Sequence, residues 1–447
     1  MKKLFLILIC VFSLTANAQQ PTKQNYSFSL QQAIDHALQN NYSAINSGRD
    51  IEISKQKKWE TTASGLPQIS GNVNYQNNLK LQKSLIPAEI FGGTPGTFQE
   101  VAFGTKQNMG ASVTLSQLIF DGSYIVALQA SKAYLEYFVN AKKKTDSDIR
   151  EMVINSYGNV LLSEESIKIL ESNKTILEKN YNDINQIFKN GLGEQESVEQ
   201  ISITLATVKS NLNNVKRLRE ISLKMLKLNL GMEINDDLVL TDNLDNLSKS
   251  NLDLAAQTSE FNVENNIDYQ IVTSLVTQKK LLLKLEKSKA LPSLGAALNV
   301  GSNAFSQDFT FFSGNQKWLY YSNVGVSLHV PIFSSFGRNA KTQQAKISLD
   351  QAKTQQTEAE QRLKLLYEKS KSDFDFSIEQ YATSKSNLNL AERIEKKQQI
   401  KFKEGLSTSF EFSEAQRQLY AAQQTYLQSM VDVINKKAAL EKLTIKN

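Results

Sequence analysis

Two carboxylates near the C-terminus, Glu411 and Glu414, have the spacing best suited to chemistry. They stand three residues apart, which on a helix puts them on one face, and they follow Gly405 by six and nine residues. Several copies of such a pair near one axis, between low-dielectric walls, would favour cations. Thr408-Ser409-Phe410-Glu411 also reads as a capping box, in which Glu411 closes a helix start. The same offsets from an earlier glycine, Gly191, fall on the uncharged Ser197 and Gln200. The only histidines, His36 and His329, have no second ligand at helical or hairpin spacing. No phosphate loop or nucleophile elbow is present. The pattern predicts no enzyme, no cofactor and no metal.

The elements that must position these residues are written twice. Leu66-Pro67 opens an alternating stretch that ends at Ile119-Phe120, and a long helix pattern then runs to Gly191-Leu192. Leu291-Pro292 opens a second stretch ending at Ile332-Phe333, and its helix pattern runs to Gly405-Leu406. Such self-similarity describes two copies of one structural unit. No proline occurs between Pro95 and Pro292 or after Pro331, which leaves room for long helices. Ile149, Val153, Ser156, Val160, Ser163, Ile167, Leu170, Lys174, Leu177, Tyr181, Ile184 and Phe188 follow a 4-3 alternation, the period of left-handed coiled-coil packing. A helix from Gly122 to Phe188 would be roughly 100 Å long. Gly191 and Gly405 each supply a left-handed cap, and an apolar seam resumes after each, so each half holds a helical hairpin with its tip at the glycine.

Four segments alternate with period two. Ile69, Gly71, Val73 and Tyr75 face one way; so do Ala111, Val113, Leu115 and Ile119, then Leu294, Ala296, Leu298 and Val300, and Val324, Val326, Leu328 and Val330. Ser, Asn, Thr and Gly residues dominate the opposite faces. These are apolar-out, polar-in strands long enough for a membrane barrel. Aromatics gather at their ends, Phe120 and Phe333 at one and Tyr75, Trp318 and Tyr320 at the other, as interfacial girdles. A soluble two-sheet sandwich would not present its strands as two isolated hairpins flanked by helices. Four strands cannot close a barrel and open edges are not tolerated in lipid, so several chains must share one. The connections at about 77–106 and 303–319 are expected as long outer loops, and residues 231–261 as an irregular belt packed outside the helices.

The predicted organisation is a signal peptide at 1–18, a first repeat at 19–230 with a β-hairpin near 66–120, an equatorial linker at 231–261 and a second repeat at 262–447 with a β-hairpin near 291–333. The signal is read from Lys2-Lys3, the apolar run Leu4 to Leu14 and the small-x-small site Ala16-Asn17-Ala18. Cys10, the only cysteine, lies inside it, so the mature chain has no disulfide, and a lipid anchor is not expected. A net charge of +6, or +4 without Lys2 and Lys3, is too weak and too mixed for nucleic acid. Lysine runs at Lys55, Lys57 and Lys58, at Lys142-Lys143-Lys144 and from Lys279 to Lys289 read as solvated helix faces, with contact to anionic headgroups as the alternative.

The order of signal, helix, Leu-Pro strand hairpin and long helical hairpin, followed by the whole unit again, resembles the TolC family of outer membrane efflux ducts. Leu30-Gln31-Gln32-Ala33-Ile34-Asp35-His36-Ala37-Leu38-Gln39-Asn40-Asn41 is similar to the family's first helix. The resemblance implies a mainly α fold with transmembrane β-strands, in which long coiled-coil-like helical hairpins form a periplasmic α-barrel. Four strands per chain would form a 12-stranded β-barrel in a homotrimer. It implies an exit duct of a tripartite efflux or type I secretion system in the outer membrane of a Gram-negative bacterium. Its partners would be outer membrane lipid, a periplasmic adaptor (membrane fusion) protein at the tips Gly191, Leu192, Gly405 and Leu406, and an inner-membrane RND or ABC transporter. It implies a pore constriction at Glu411 and Glu414, with Ser197 and Gln200 at the matching offsets, and gate positions at Phe402 and Ser407. The family often has an arginine where this chain has Ser407, so its charged lock on the closed state would be weaker or made elsewhere. A trimeric adhesin or stalk is the alternative, but its strands would be consecutive and terminal.

Overall fold

The structure, a computed structural model, describes residues 25–253 and 261–444. The expected signal peptide and Cys10 lie outside the described residues, as does the stretch 254–260 of the expected linker. The elements run β1 (Asn25–Phe28), α1 (Leu30–Asn40), α2 (Tyr42–Ala63), β2 (Gln68–Asn77), β3 (Lys83–Pro87), β4 (Phe98–Ala102), β5 (Gln107–Asp121), α3 (Gly122–Lys189) and α4 (Gln195–Leu230). There follow β6 (Asp237–Leu240), α5 (Leu244–Asp253), α6 (Ile267–Ser288), β7 (Ser293–Ser306), β8 (Trp318–His329), α7 (Gly337–Lys403) and α8 (Ser409–Thr444). The chain divides into two compact units. One holds residues 1–49, 140–271 and 358–447; the other holds 50–139 and 272–357. Both units draw on both repeats.

The long helices form where proline is absent. α3 has 68 residues and α7 has 67. Within the first unit, Ile149, Val153, Tyr157 and Val160 of α3 are buried with Leu226 and Leu230 of α4 and Met430, Val431 and Ile434 of α8. The expected seam on α3 is therefore present in part. Ser166, Asn173 and Asn180 are also buried at heptad spacing, and Asn173 Nδ2 donates to Gln423 Oε1 at 2.8 Å. These residues alternate with Leu177 and Ile184 at spacings of three and four, so they share that face and make the buried side of α3 partly polar there. On α7, Ser377, Ser384 and Ala391 are buried at the same spacing, and Ser384 Oγ lies 2.7 Å from Ser429 Oγ. Small polar residues let helices approach closely and satisfy one another there.

The stretch expected to be an irregular belt contains regular structure. β6 pairs in parallel with β1, Asn25↔Asp237 through Phe28↔Leu240, and α5 follows. Leu238 and Leu244 are buried in the same core as α3 and α8. The fully buried Tyr157 anchors this segment. Its hydroxyl lies 3.0 Å from both the Phe28 carbonyl and Asp242 Oδ2, and Asp242 Oδ2 accepts from Leu30 N at 2.6 Å. Burial and the Asp242 charge push the phenol pKa upwards.

In the second unit the two hairpins are not separate. β5 pairs antiparallel with β7, so the strands form one four-stranded sheet in the order β2-β5-β7-β8. Ile69, Leu115, Leu298 and Val324 lie side by side in one row, and Ser70, Thr114, Asn299 and Asn323 in the next. The period-two expectation holds for these residues. It fails at Ile119: a bulge between Leu118 and Phe120 leaves Ile119 out of the ladder, and Phe120 stands opposite Leu294 and joins the apolar face. The two repeats also leave their sheets differently. α3 begins at Gly122, directly after β5, with Asp121 Oδ1 accepting from Ser123 N at 2.6 Å. After β8, residues 330–336 intervene, and Ser335 and Phe336 hold positive φ of 48° and 63°. The first expected loop contains the β3–β4 hairpin, and the second shortens to 307–317 because β7 and β8 extend to Ser306 and Trp318.

Candidate functional site

The hairpin tips are built alike. Gly191 has φ 74° and Gly405 has φ 71°, the left-handed region where a Cβ is strained. Leu192 N donates to Ile187 O at 3.1 Å and Leu406 N to Lys401 O at 2.8 Å, the six-residue closure of a Schellman cap. Both leucines point into solvent, Leu192 at 80 % and Leu406 at 76 % exposure. A methyl group added at either glycine would meet nothing within 4 Å, so the constraint on these residues is conformational and not steric.

Around the second tip, Ile184 and Leu177 of α3, Ile201, Leu205 and Val208 of α4 and Phe412 of α8 form a small buried cluster. Phe402 stacks on Phe412 with ring centroids 5.3 Å apart. An open groove at these tips is lined by Asn180, Ile187, Gln399, Phe402, Ser407 and Phe412 among others.

Glu411 and Glu414 both lie on the exposed face of α8, opposite Phe412, Ala415 and Gln416, which are buried. The capping box expected for Glu411 forms: its Oε2 accepts from Thr408 N at 2.9 Å, while Glu411 N donates to Thr408 Oγ1 at 3.2 Å. Ser407 Oγ donates to the same Oε2 at 2.8 Å. The Thr408 N–H, helped by the Ser407 hydroxyl, holds the Glu411 carboxyl below its usual pKa. A carboxyl depressed on folding stabilises this turn above the unfolded glutamate pKa and loses that contribution as pH falls through its lower folded value. Amide exchange at Thr408 is therefore expected to accelerate on acidification below about pH 4.5 in wild type, and to be pH-insensitive there in Glu411→Gln beyond the intrinsic exchange trend. Equal behaviour of the two chains would remove the cap's role.

Glu414 bonds to Arg417, three residues on. The i,i+3 spacing of this pair is legible in the sequence. On α4, Gln200 Nε2 donates to Glu196 Oε1 at 3.0 Å and Ser197 N to Glu194 O at 3.2 Å. The two halves therefore carry different charge at matching offsets.

The sheet places the expected girdle residues unevenly. Phe120 and Phe333 are exposed, and Phe333 meets Phe336 edge-on at 5.9 Å. Tyr320 is 86 % exposed. Tyr75 shares a row with Met109, Ala304 and Trp318, but it is partly covered: Phe309 and Phe311 pack against it at 5.5 and 5.9 Å, and its hydroxyl donates to Gln107 Oε1 at 3.2 Å. The loop 307–317 folds onto the apolar face at that end, which sequence reasoning missed because its Phe residues have no period. Elsewhere that face is bare: Ile69, Val73, Val324, Val326 and Leu328 are all more than half exposed. β2 and β8 each leave one edge unpaired.

His36 packs against Phe28 at 5.0 Å, and burial lowers its pKa. His329 ends β8 opposite Ser293. Among the described residues no group of three or more potential ligands could hold a metal, and no helix is long and apolar enough to cross a membrane.

With this geometry in view, solved structures identify the architecture. The chain superposes on the CusC structure, described for transmembrane channel formation, with a TM-score of 0.74 at 16 % identity, covering 98 % of this chain and 96 % of that one. It superposes on the Campylobacter jejuni outer membrane channel CmeC at 0.71 and 17 % identity, covering 96 % and 90 %. For the Vibrio cholerae outer membrane protein VceC the values are 0.70, 14 %, 92 % and 95 %. The fold is that of these outer membrane channels. The family described as outer membrane efflux protein matches residues 282–444, most of the second repeat. No curated protein sequence matches the chain. The sheet with its bare apolar face and the long helical hairpins thus belong to one known architecture, even though sequence identity to these structures is low.

Proposed function

We propose that the chain is a subunit of an outer membrane exit duct, in which several copies close one β-barrel and conduct cargo passively. The observation that carries this reading is the four-stranded sheet. One face is apolar and bare, the other polar, and both outer edges are unpaired. In lipid such edges must be paired by another copy, and the twelve strands of a homotrimer would suffice for a barrel. The helical hairpins would extend the duct into the periplasm of a Gram-negative cell. The duct would receive small molecules or polypeptide from a periplasmic adaptor and an inner-membrane RND or ABC transporter. The test is the mass of the protein extracted in detergent together with its conductance in planar bilayers. A stable monomer that is soluble without detergent would overturn the reading.

The exposed tip leucines Leu192 and Leu406 fit the adaptor contact, held outward by their glycine caps. Gly405→Val forces a β-branched residue into a left-handed turn, a strain of about 1–2 kcal/mol, at a position where the added Cβ itself meets nothing. It is expected to weaken adaptor capture in a pull-down while the oligomer still assembles. Equal loss of assembly and capture would show that the glycine serves folding alone. Phe402 and Ser407, packed on Phe412 and Glu411, would stiffen the turn beside the mouth; Glu411 and Glu414 would line it.

A further inference from the structure

Between β2 and β5 the chain makes an ordered excursion. Asn78 N donates to Lys106 O at 2.7 Å, extending the sheet by one step. β3 and β4 then pair from Lys83↔Ala102 to Pro87↔Phe98, with Lys83 Nζ 2.8 Å from Glu100 Oε2. A 3-10 turn, Ala88–Phe91, closes the far end, and Glu89 Oε1 accepts from Gly96 N at 2.8 Å. Yet this hairpin leaves Leu79, Leu85, Ile90, Phe91, Phe98 and Phe103 between 57 % and 89 % exposed. An isolated two-stranded hairpin is marginal in water, and a bare apolar cluster of this size marks a contact surface.

The position of β2 indicates what covers it. β2 is an edge strand. Its direction is opposite to β5, β5 is opposite to β7, and β7 to β8, so β8 runs opposite to β2. In a ring of copies related by rotation, the β8 edge of one copy meets the β2 edge of the next in the antiparallel sense. That arrangement sets the end of β2, Gln76-Asn77, beside the start of β8 on the adjacent copy, Trp318-Leu319. The hairpin leaves β2 at that point. The adjacent copy carries two of the chain's most exposed aromatics there, Phe312 at 82 % and Tyr320 at 86 %.

We propose that residues 79–105 form a clasp between copies, the apolar hairpin of one chain lying on the aromatic loop 307–317 and the start of β8 of the next. The clasp rests on the reading of a barrel shared among copies. It would stabilise the ring at the end of the barrel where the loops are longest, and it explains why a marginal hairpin carries its apolar side chains outward.

The test uses the full chain with Cys10→Ser and one introduced cysteine per copy, so that any cross-link is intermolecular. Chains bearing Phe98→Cys are co-expressed with chains bearing Phe312→Cys and treated with a flexible bis-maleimide. A control pair, Asn74→Cys with Tyr321→Cys, reports the β2–β8 edge contact itself. The clasp predicts cross-linked dimers from both pairs. It also predicts that Phe91→Ser/Phe98→Ser weakens copy–copy association about tenfold or more, through lost apolar contact, while the control cross-link persists. If the control pair links and the hairpin pair does not, the hairpin faces lipid or another protein: the clasp is rejected and the shared barrel stands. If neither pair links, the shared barrel fails and takes the clasp with it.

Discussion

Val324→Arg is expected to abolish assembly in the outer membrane, while Asn323→Arg, one residue away, is expected to be tolerated. Val324 is 76 % exposed, so in a water-soluble sheet an arginine there would change stability little. It lies in the row Ile69–Leu115–Leu298–Val324, between the aromatic rows at either end of the sheet. On a lipid face near the midplane a charged side chain costs about 2–4 kcal/mol in each copy, and the penalty recurs in every copy of the ring. Asn323 faces the polar side with Ser70, Thr114 and Asn299, where a charge would adjust conduction instead. The readout is the yield of detergent-extracted oligomer from the membrane fraction. Similar yields from both variants would mean that the apolar face does not meet lipid.

The second large effect is electrical. Replacing both Glu411 and Glu414 by Gln is expected to lower the cation-to-anion permeability ratio several-fold, because a ring of carboxylates near one axis sets that ratio. Thermal stability should change little, since Gln can take the place of Glu in a capping box. Arg417 adds a test of sign. It is bonded to Glu414 on the same exposed face, so Arg417→Gln should raise cation selectivity where the double carboxylate change lowers it. Reversal potentials in planar bilayers under a salt gradient measure both. Unchanged potentials in all variants would leave Glu411 as a cap and Glu414 as half of a surface ion pair.

Much of the fold was legible because it depends on local periodicity. The proline-free spans and the 4-3 spacing specified α3 and α7, since a helix needs every backbone N–H and repeats its apolar face every three to four residues. Alternation specified the apolar and polar faces of the four long strands up to the bulge at Ile119, because successive side chains point to opposite sides whatever the strand pairs with. Gly191 and Gly405 specified both tips through a conformation that other residues avoid. The capping box at Thr408 and Glu411 was legible for the same reason: its donors and acceptors lie within one turn.

Other features were decided only in three dimensions. The pairing of β5 with β7 merges two hairpins into one sheet, and nothing local to either strand identifies an edge partner more than 170 residues away. The bulge that replaces Ile119 by Phe120 on the apolar face arises from that pairing, since it exists only relative to Gly295 and Leu294. The covering of Tyr75 by Phe309 and Phe311 depends on where an aperiodic loop comes to rest. The burial of Asn173 is not readable from its own segment, because its partner Gln423 comes from a helix 250 residues away. Sequence fixes what each backbone segment does with its own hydrogen bonds and its own faces; contacts between remote segments depend on the free energy of the whole packed chain, and only the tertiary structure records that result.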